Sequence, residues 1–204
     1  IMRIVEKFSN LKVCVVGDLI IDEYINCHPL GMSQEEPTVV VTPVDKRRYL
    51  GGAGIVAAHC KSLGASTTFL TATGEDEISD WAIGKSDEYH VQTFAVKDAA
   101  RPTTLKQRFR SGTQTLLKIS YLSQDFLDES KEKALIRQFE ELAPNCDVLI
   151  FSDFSYGVLS PRVVEKLIEI AENHGVFVSA DSQSSSQIGN LDKFERVEIG
   201  RAHV

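Results

Sequence analysis

The chain has 204 residues, 43% of them hydrophobic, with a formal net charge of −7. That length and apolar content suit one globular domain or a domain with an appendage, and the acidic balance argues against a nucleic-acid partner recognised through overall charge. No apolar run approaches the roughly 20 residues needed to cross a bilayer, so no membrane association is expected.

In chain order, Met2 to Leu11 reads as a short charged amphipathic segment. Leu11-Lys12-Val13-Cys14-Val15-Val16, closed by Gly17-Asp18, has the near-continuous apolar pattern of a strand buried on both faces. Residues 25–49 carry Pro29, Gly31, Pro37 and Pro43 around a run of valines, too punctuated for a helix. Gly54 to Leu63 is expected to be a helix stopped by Gly64, and Thr67 to Thr73 a second buried strand. Residues 103–122 read as two strands joined by Ser111-Gly112-Thr113-Gln114. A helix follows over 128–143, then a strand at 147–153. Ser160-Pro161 marks the start of another helix, Gly175 its end, and Val176 to Asp181 is the last strand.

The alternation argues for a doubly wound α/β fold whose ligand crevice lies at the carboxyl ends of the strands. Three of the four core runs end in Asp, which aims carboxylates at one rim. The intervening strands, about 25–49 and 96–122, are expected to form a small separate sheet over that rim as a lid. Four scattered cysteines, without C-x-x-C or neighbouring histidines, fit reduced cytosolic thiols better than a zinc site.

Gly51-Gly52-Ala53-Gly54 opens the first helix, where glycine permits a tight turn and close ligand approach. Gly52-x-Gly54-x-x-Ala57 also meets the loose dinucleotide pattern, but charged residues 45–48 precede it where an apolar strand is required. Lys106, Arg108 and Arg110 alternate along a lid strand and should share a face, either to hold a sugar phosphate or as a solvated charged edge.

Five motifs occur in fixed order: Gly17-Asp18 through Asp22-Glu23-Tyr24, then Ser33-Gln34-Glu35-Glu36-Pro37, then Leu50 to Gly54, then Ser152-Asp153 through Tyr156-Gly157, then Ala180-Asp181. Together they resemble the ribokinase-like sugar kinases of the PfkB family, nearest the heptose-phosphate kinase domain of ADP-heptose synthase. The resemblance covers residues from Leu11 to about Phe194. It implies a mostly parallel sheet flanked by helices, with a β-clasp lid. It further implies a cytoplasmic carbohydrate kinase using ATP and Mg²⁺ on a sugar or sugar phosphate. The lid-like strands, which need a covering partner, point to a homodimer through the clasp.

In the terms of that resemblance, Asp22 is a strand-end aspartate that binds sugar hydroxyls, and Gly51 and Gly52 contact the sugar and move with the lid. Ser33, Glu35, Gly54, Lys106 and Arg108 join the substrate-binding set. Asp153 and Asp181 stand on the nucleotide side, and no metal ligand is assigned. Three positions depart from the pattern: Ile55 where an Asn is usual, Tyr156 where heptose kinases carry Lys, and Ser182-Gln183 where they carry Pro-Lys. These leave the sugar open. No Gly-Ala-Gly-Asp turn, which in such kinases supplies the proton acceptor, occurs in the chain. The final Glu198 to Val204 resembles a translated sequencing adapter, and Ile1 precedes Met2; residues 1–197 are accordingly expected to be part of a kinase domain that alone is inactive. A different class, a non-catalytic dimerising sugar-binding module, is the alternative.

Overall fold

The computed structural model describes residues 6–182 and 198–200. The expectations for Ile1-Met2, the serine run beyond Ser182, Gln183 and residues 201–204 lie outside them. After a short 3₁₀ turn at Glu6–Asn10, strand β1 (Lys12–Gly17) enters the centre of the molecule. Its apolar residues serve both faces: Val13 and Val15 pack on one side, Cys14 and Val16 on the other. This two-sided burial explains why the run shows no polar alternation.

Six strands form a sheet in the order β10-β9-β8-β1-β4-β5, every pairing parallel. Besides β1 they are β4 (Ser66–Thr73), β5 (Gln92–Lys97), β8 (Val148–Asp153), β9 (Phe177–Ser182) and β10 (Glu198–Gly200). Helices α1 (Gly52–Ser62) and α2 (Glu77–Glu88) supply residues to one core, with Ala53, Ala57, Ile78 and Ala82 against Val15 and Phe69. Helices α3 (Glu129–Leu142) and α4 (Pro161–Asn173) supply the other, with Leu135, Phe139, Val164 and Leu167 against Leu149 and Phe151. Both start where the sequence marks them, on Asp128 and Ser160 caps.

A second sheet, β3-β2-β6-β7, is built from β2 (Leu19–Met32), β3 (Val39–Gly51), β6 (Leu105–Ser111) and β7 (Gln114–Tyr121). It is mixed: β2 runs antiparallel to β3 and parallel to β6, and β6 antiparallel to β7. Two sequence expectations change here. The lid begins at Leu19 and not near residue 25, so Asp22 lies inside β2 and not at a core strand end. Residues 96–97 belong to β5 of the main sheet, and α2 with β5 occupies a stretch that carries no strong periodic signal.

The lid is rooted in the body. Leu19, Ile21, Leu50 and Leu105, at the near ends of its strands, belong to the same buried cluster as Val15 and Phe69. Its far end, by contrast, leaves Leu30, Met32, Val39 and Val44 exposed.

Candidate functional site

Where the lid leaves the body, register alone places a set of polar side chains on one face. Asp22 lies between Lys106 of β6 and Tyr49 of β3; Tyr24 lies between Arg108 and Arg47; Asn26 lies between Arg110 and Asp45. Residues directly opposite across strands share a face. The contacts agree: Arg108 forms an ion pair with Asp22 while its guanidinium stacks 5.2 Å from the Tyr24 ring centre. Arg110 sits 5.8 Å from the same ring, and Tyr24 meets Tyr49 edge to face at 5.9 Å. Tyr24, Asn26, Arg47, Tyr49 and Arg110 line an open recess of about 410 Å³.

Gly51 ends β3 beside this carboxylate. A β-carbon there would lie 2.5 Å from Asp22 Oδ2, so only glycine leaves the Asp22 carboxylate in place. Gly52 has φ +54° and packs against the Asp18 carbonyl, and Ala53 N–H donates to that carbonyl at 3.0 Å. The glycine turn thereby fastens the start of α1 to the bend between β1 and β2. Gly54 faces elsewhere: a β-carbon on it would meet Leu19 Cδ1 at 2.9 Å, on the packed side of the helix.

The strand before this turn is β3, an antiparallel lid strand, largely exposed apart from its last two residues. A dinucleotide site needs a buried parallel strand in that place, so its context is lacking although a strand is present.

The body contributes a rim loop after β8. Asp18, buried at the end of β1, accepts the Phe154 N–H at 2.8 Å and the Tyr156 N–H at 3.2 Å on Oδ2, and the Val158 N–H at 3.1 Å on Oδ1. Burial pushes the Asp18 carboxyl upward, as does the nearby Asp153, and the three N–H donors only partly offset this. Gly17 is required because a β-carbon would strike the Ser152 carbonyl.

On the other side of the loop stands Arg101, buried, with each of its three guanidinium nitrogens hydrogen-bonded. Nε bonds Asp98 at 3.1 Å, Nη1 the Tyr156 carbonyl at 3.1 Å and Nη2 the Asp125 carbonyl at 2.8 Å. Lys131 reaches the other oxygen of Asp98 at 3.2 Å. One guanidinium thus joins the segment entering the lid, the segment leaving it and the rim loop. Lys106 closes the circle, its ammonium 5.0 Å from the centre of the Tyr156 ring.

Of the residues singled out in the sequence, Asp22, Gly51, Gly52, Lys106 and Arg108 come together. Asp153 is buried on the rim, accepting the Ser155 N–H at 3.1 Å and the Ser182 hydroxyl at 3.0 Å. Asp181 is level with Ser152 in the neighbouring strand. Ser33 and Glu35 sit apart, at the tip of the β2–β3 hairpin, where the Ser33 hydroxyl accepts the Glu35 N–H at 3.2 Å. At about 3.3 Å per residue that tip is on the order of 30 Å along the strand from Asp22.

Sequence reading placed Asp18 only as a rim carboxylate and Tyr24 only within the first motif, and it missed Tyr49 and Arg101. Tyr24 was within reach, since period-two counting from Asp22 puts it on the same face. Arg101 carries no local signal. Among the described residues no group of three His, Cys, Asp or Glu side chains is placed to hold a metal ion, and no helix is long and apolar enough to cross a membrane.

Comparison with known proteins fits this architecture. The "Bifunctional protein HldE" of Desulfatibacillum aliphaticivorans is 33% identical over 178 residues, covering 87% of this chain and 36% of that protein. Its Caulobacter vibrioides namesake matches to the same degree, 33% over 178 residues. The chain therefore spans little more than a third of the curated relatives it matches. Among solved structures, Arabidopsis thaliana ribokinase complexed with ribose and ATP superposes with a TM-score of 0.65 at 16% identity, over 94% of this chain and 60% of that one. Giardia lamblia ribokinase gives 0.67 at 14% identity, over 94% and 61%. These two share the fold: a parallel α/β layer with flanking helices. The family profile for pfkB carbohydrate kinases matches residues 10–197, which is nearly all of the body and lid just described, and the chain belongs to that family.

Proposed function

We propose that a protein carrying this chain is a cytoplasmic kinase that transfers a phosphoryl group from ATP to a hydroxyl of a sugar or sugar phosphate. The chain supplies the acceptor-binding half. The observation that supports this most is the Asp22 carboxylate, half-exposed, braced by Arg108 and bordered by Gly51, where lid and body meet. A fixed carboxylate accepts two hydroxyl hydrogen bonds, and Arg108 keeps it oriented. Tyr24 offers an aromatic face beside it for the C–H surface of a sugar. Gly52 keeps the helix start close, and Lys106 borders the acceptor on the body side.

ATP supplies the phosphoryl group when bound. Asp153 and Asp181 stand on the rim expected to face it, and Asp153 fixes the rim loop through Ser155. The described residues present no ready-made Mg²⁺ cluster, so no step is assigned to the metal. The reading takes residues 1–197 as kinase sequence and 198–204 as an adapter remnant whose first residues, Glu198–Gly200, occupy the free edge of β9. Ser33, Glu35 and Gly54 have no direct part in acceptor binding within one copy. The exposed Leu30, Met32, Val39 and Val44 favour a second role for the hairpin tip, as a surface for a homodimer through the clasp.

The test is a coupled ADP assay on the longer reading frame, beginning with heptose phosphates, alongside residues 1–204 alone and an Asp22→Asn variant. Sugar-dependent turnover by the longer protein, none by the 204 residues, and a drop of roughly a hundredfold in kcat/KM for the variant are expected. Undiminished turnover in the variant would sink the reading.

A further inference from the structure

The lid and rim hold many cations, and nearly all are spoken for. Arg108 pairs with Asp22, Arg48 with Glu23 and Glu77, Arg101 with Asp98, Lys131 with Asp98 and Asp128, Lys97 with Asp80, and Arg47 with Asp45. Among the described residues of the lid sheet, Lys106, Arg110 and Lys118 carry no ion pair. Arg110 lies two positions farther out than Arg108, and Lys118 is exposed on the outer strand β7. Lys106 alone reaches the body.

Its place is specific. Strand register sets it beside Asp22, yet the Asp22 charge is taken by Arg108 and not by Lys106. The ammonium instead rests over Tyr156, in the loop that Asp18 and Arg101 clamp from both sides. An aromatic face attracts a cation without neutralising it. The result is a full positive charge held at the junction between the carboxylate proposed to grip hydroxyls and the rim proposed to receive the nucleotide.

From this juxtaposition we propose that Lys106 is a further catalytic residue, one that meets the phosphoryl group in transit and not the sugar's hydroxyls. The inference rests on the kinase reading. In the transfer, the acceptor oxygen bonds to the terminal phosphorus as that phosphorus parts from its bridging oxygen, and ADP leaves with the electron pair. The hydroxyl proton passes to a carboxylate base of the longer protein. Lys106 neither gives nor takes a proton; its compact charge offsets the negative charge spread over the moving oxygens. Because Lys106 follows Leu105, which is buried with the body, that charge is held at the junction by the root of the lid.

Two measurements test this separately from the kinase reading. In the first, inorganic pyrophosphate is titrated calorimetrically onto the 204-residue chain. Wild type binds, Lys106→Met weakens binding by about fivefold or more, and Lys106→Arg stays within about twofold. Lys118→Met, which removes an equal charge elsewhere on the sheet, leaves binding unchanged. Absence of binding in the wild type, or equal loss in the Lys118 and Lys106 variants, overturns the assignment. In the second, Lys106→Met in the longer protein lowers kcat by roughly 30-fold or more with the sugar KM nearly unchanged. A rise in sugar KM with kcat intact would return Lys106 to sugar binding and overturn the proposal. A wild-type longer protein that phosphorylates no sugar sinks the kinase reading and the transfer role of Lys106 with it, while the pyrophosphate comparison separately decides whether Lys106 binds a phosphate anion.

Discussion

The two sheets use the same residue types to opposite ends. In β1 and β8 valine, leucine, isoleucine and phenylalanine fill cores on both faces, and the strands are six residues each. In β2 and β3, 14 and 13 residues long, Val39, Val40 and Val44 are 52%, 40% and 71% exposed. β-Branched residues favour extended backbone in both places, but only the covered faces gain burial energy. What separates body from lid is therefore coverage and not propensity. The candidate site lies on the open face of the lid's root: the opposite face of β2 stays buried through Glu23, Ile25 and Cys27, while Asp22 is half-exposed. A carboxylate there is held by a rigid root yet open to a ligand.

The contrast can be broken most directly by truncating one residue of each kind. Phe151 is fully buried between β8 and the helices on its face, so Phe151→Ala should cost about 3–5 kcal/mol in chemical denaturation. Val44→Ala, on the open hairpin, should change stability by less than about 0.5 kcal/mol. Equal costs would mean that the hairpin is covered in solution, as a clasped dimer requires, and sedimentation would then show the dimer.

Arg101 sharpens the comparison, because it ties the two regions together. Arg101→Met leaves Asp98 buried with one cation fewer and frees the Tyr156 and Asp125 carbonyls. A loss of about 3 kcal/mol is expected, within the range for breaking a buried pair. Hydrogen exchange should rise in residues 98–104, 122–128 and 154–158 together. Exchange confined to residues near 101 would show that the guanidinium does not couple the three segments.

How much of this was legible beforehand follows the same division. Body strands announce themselves by apolar runs, and α3 and α4 by caps and stripes, because each is decided locally. The start of the lid was misplaced because Leu19-Ile20-Ile21 is as apolar as a core strand; the residues root β2 in the body before it emerges. Gly51 and Gly52 were legible as a tight turn, but their reason, the crowding by Asp22 and the Asp18 carbonyl, exists only once β2 and β3 pair. Asp18 looked like a strand stop, and its three N–H donors come from about 140 residues away. Arg101, in an ordinary loop sequence, could not be read at all: its partners are set by topology.

The smallest expected effect concerns acid. Burial pushes the Asp98 carboxyl up, but the Ala100 N–H, Lys131 and Arg101 outweigh it and hold it below the usual range. At Asp76, which caps α2 and accepts the Thr103 N–H, burial is likewise outweighed by Thr103 and Ser79. Groups lowered in the folded state stabilise it above the unfolded carboxylate value, about 3.9, and lose that contribution as pH falls through the lowered value. Asp18 runs the other way: raised by burial, it favours the folded state below the unfolded value, and that contribution disappears as pH rises through the raised one. Asp98→Asn should therefore flatten the fall in Tm on acidification from about pH 5 to about pH 2.5. Asp18→Asn should steepen it, since an opposing contribution has gone. Both variants tracking the wild-type curve in parallel would show that neither carboxylate changes its proton affinity on folding, and that the joint between lid and body is held by shape rather than by charge.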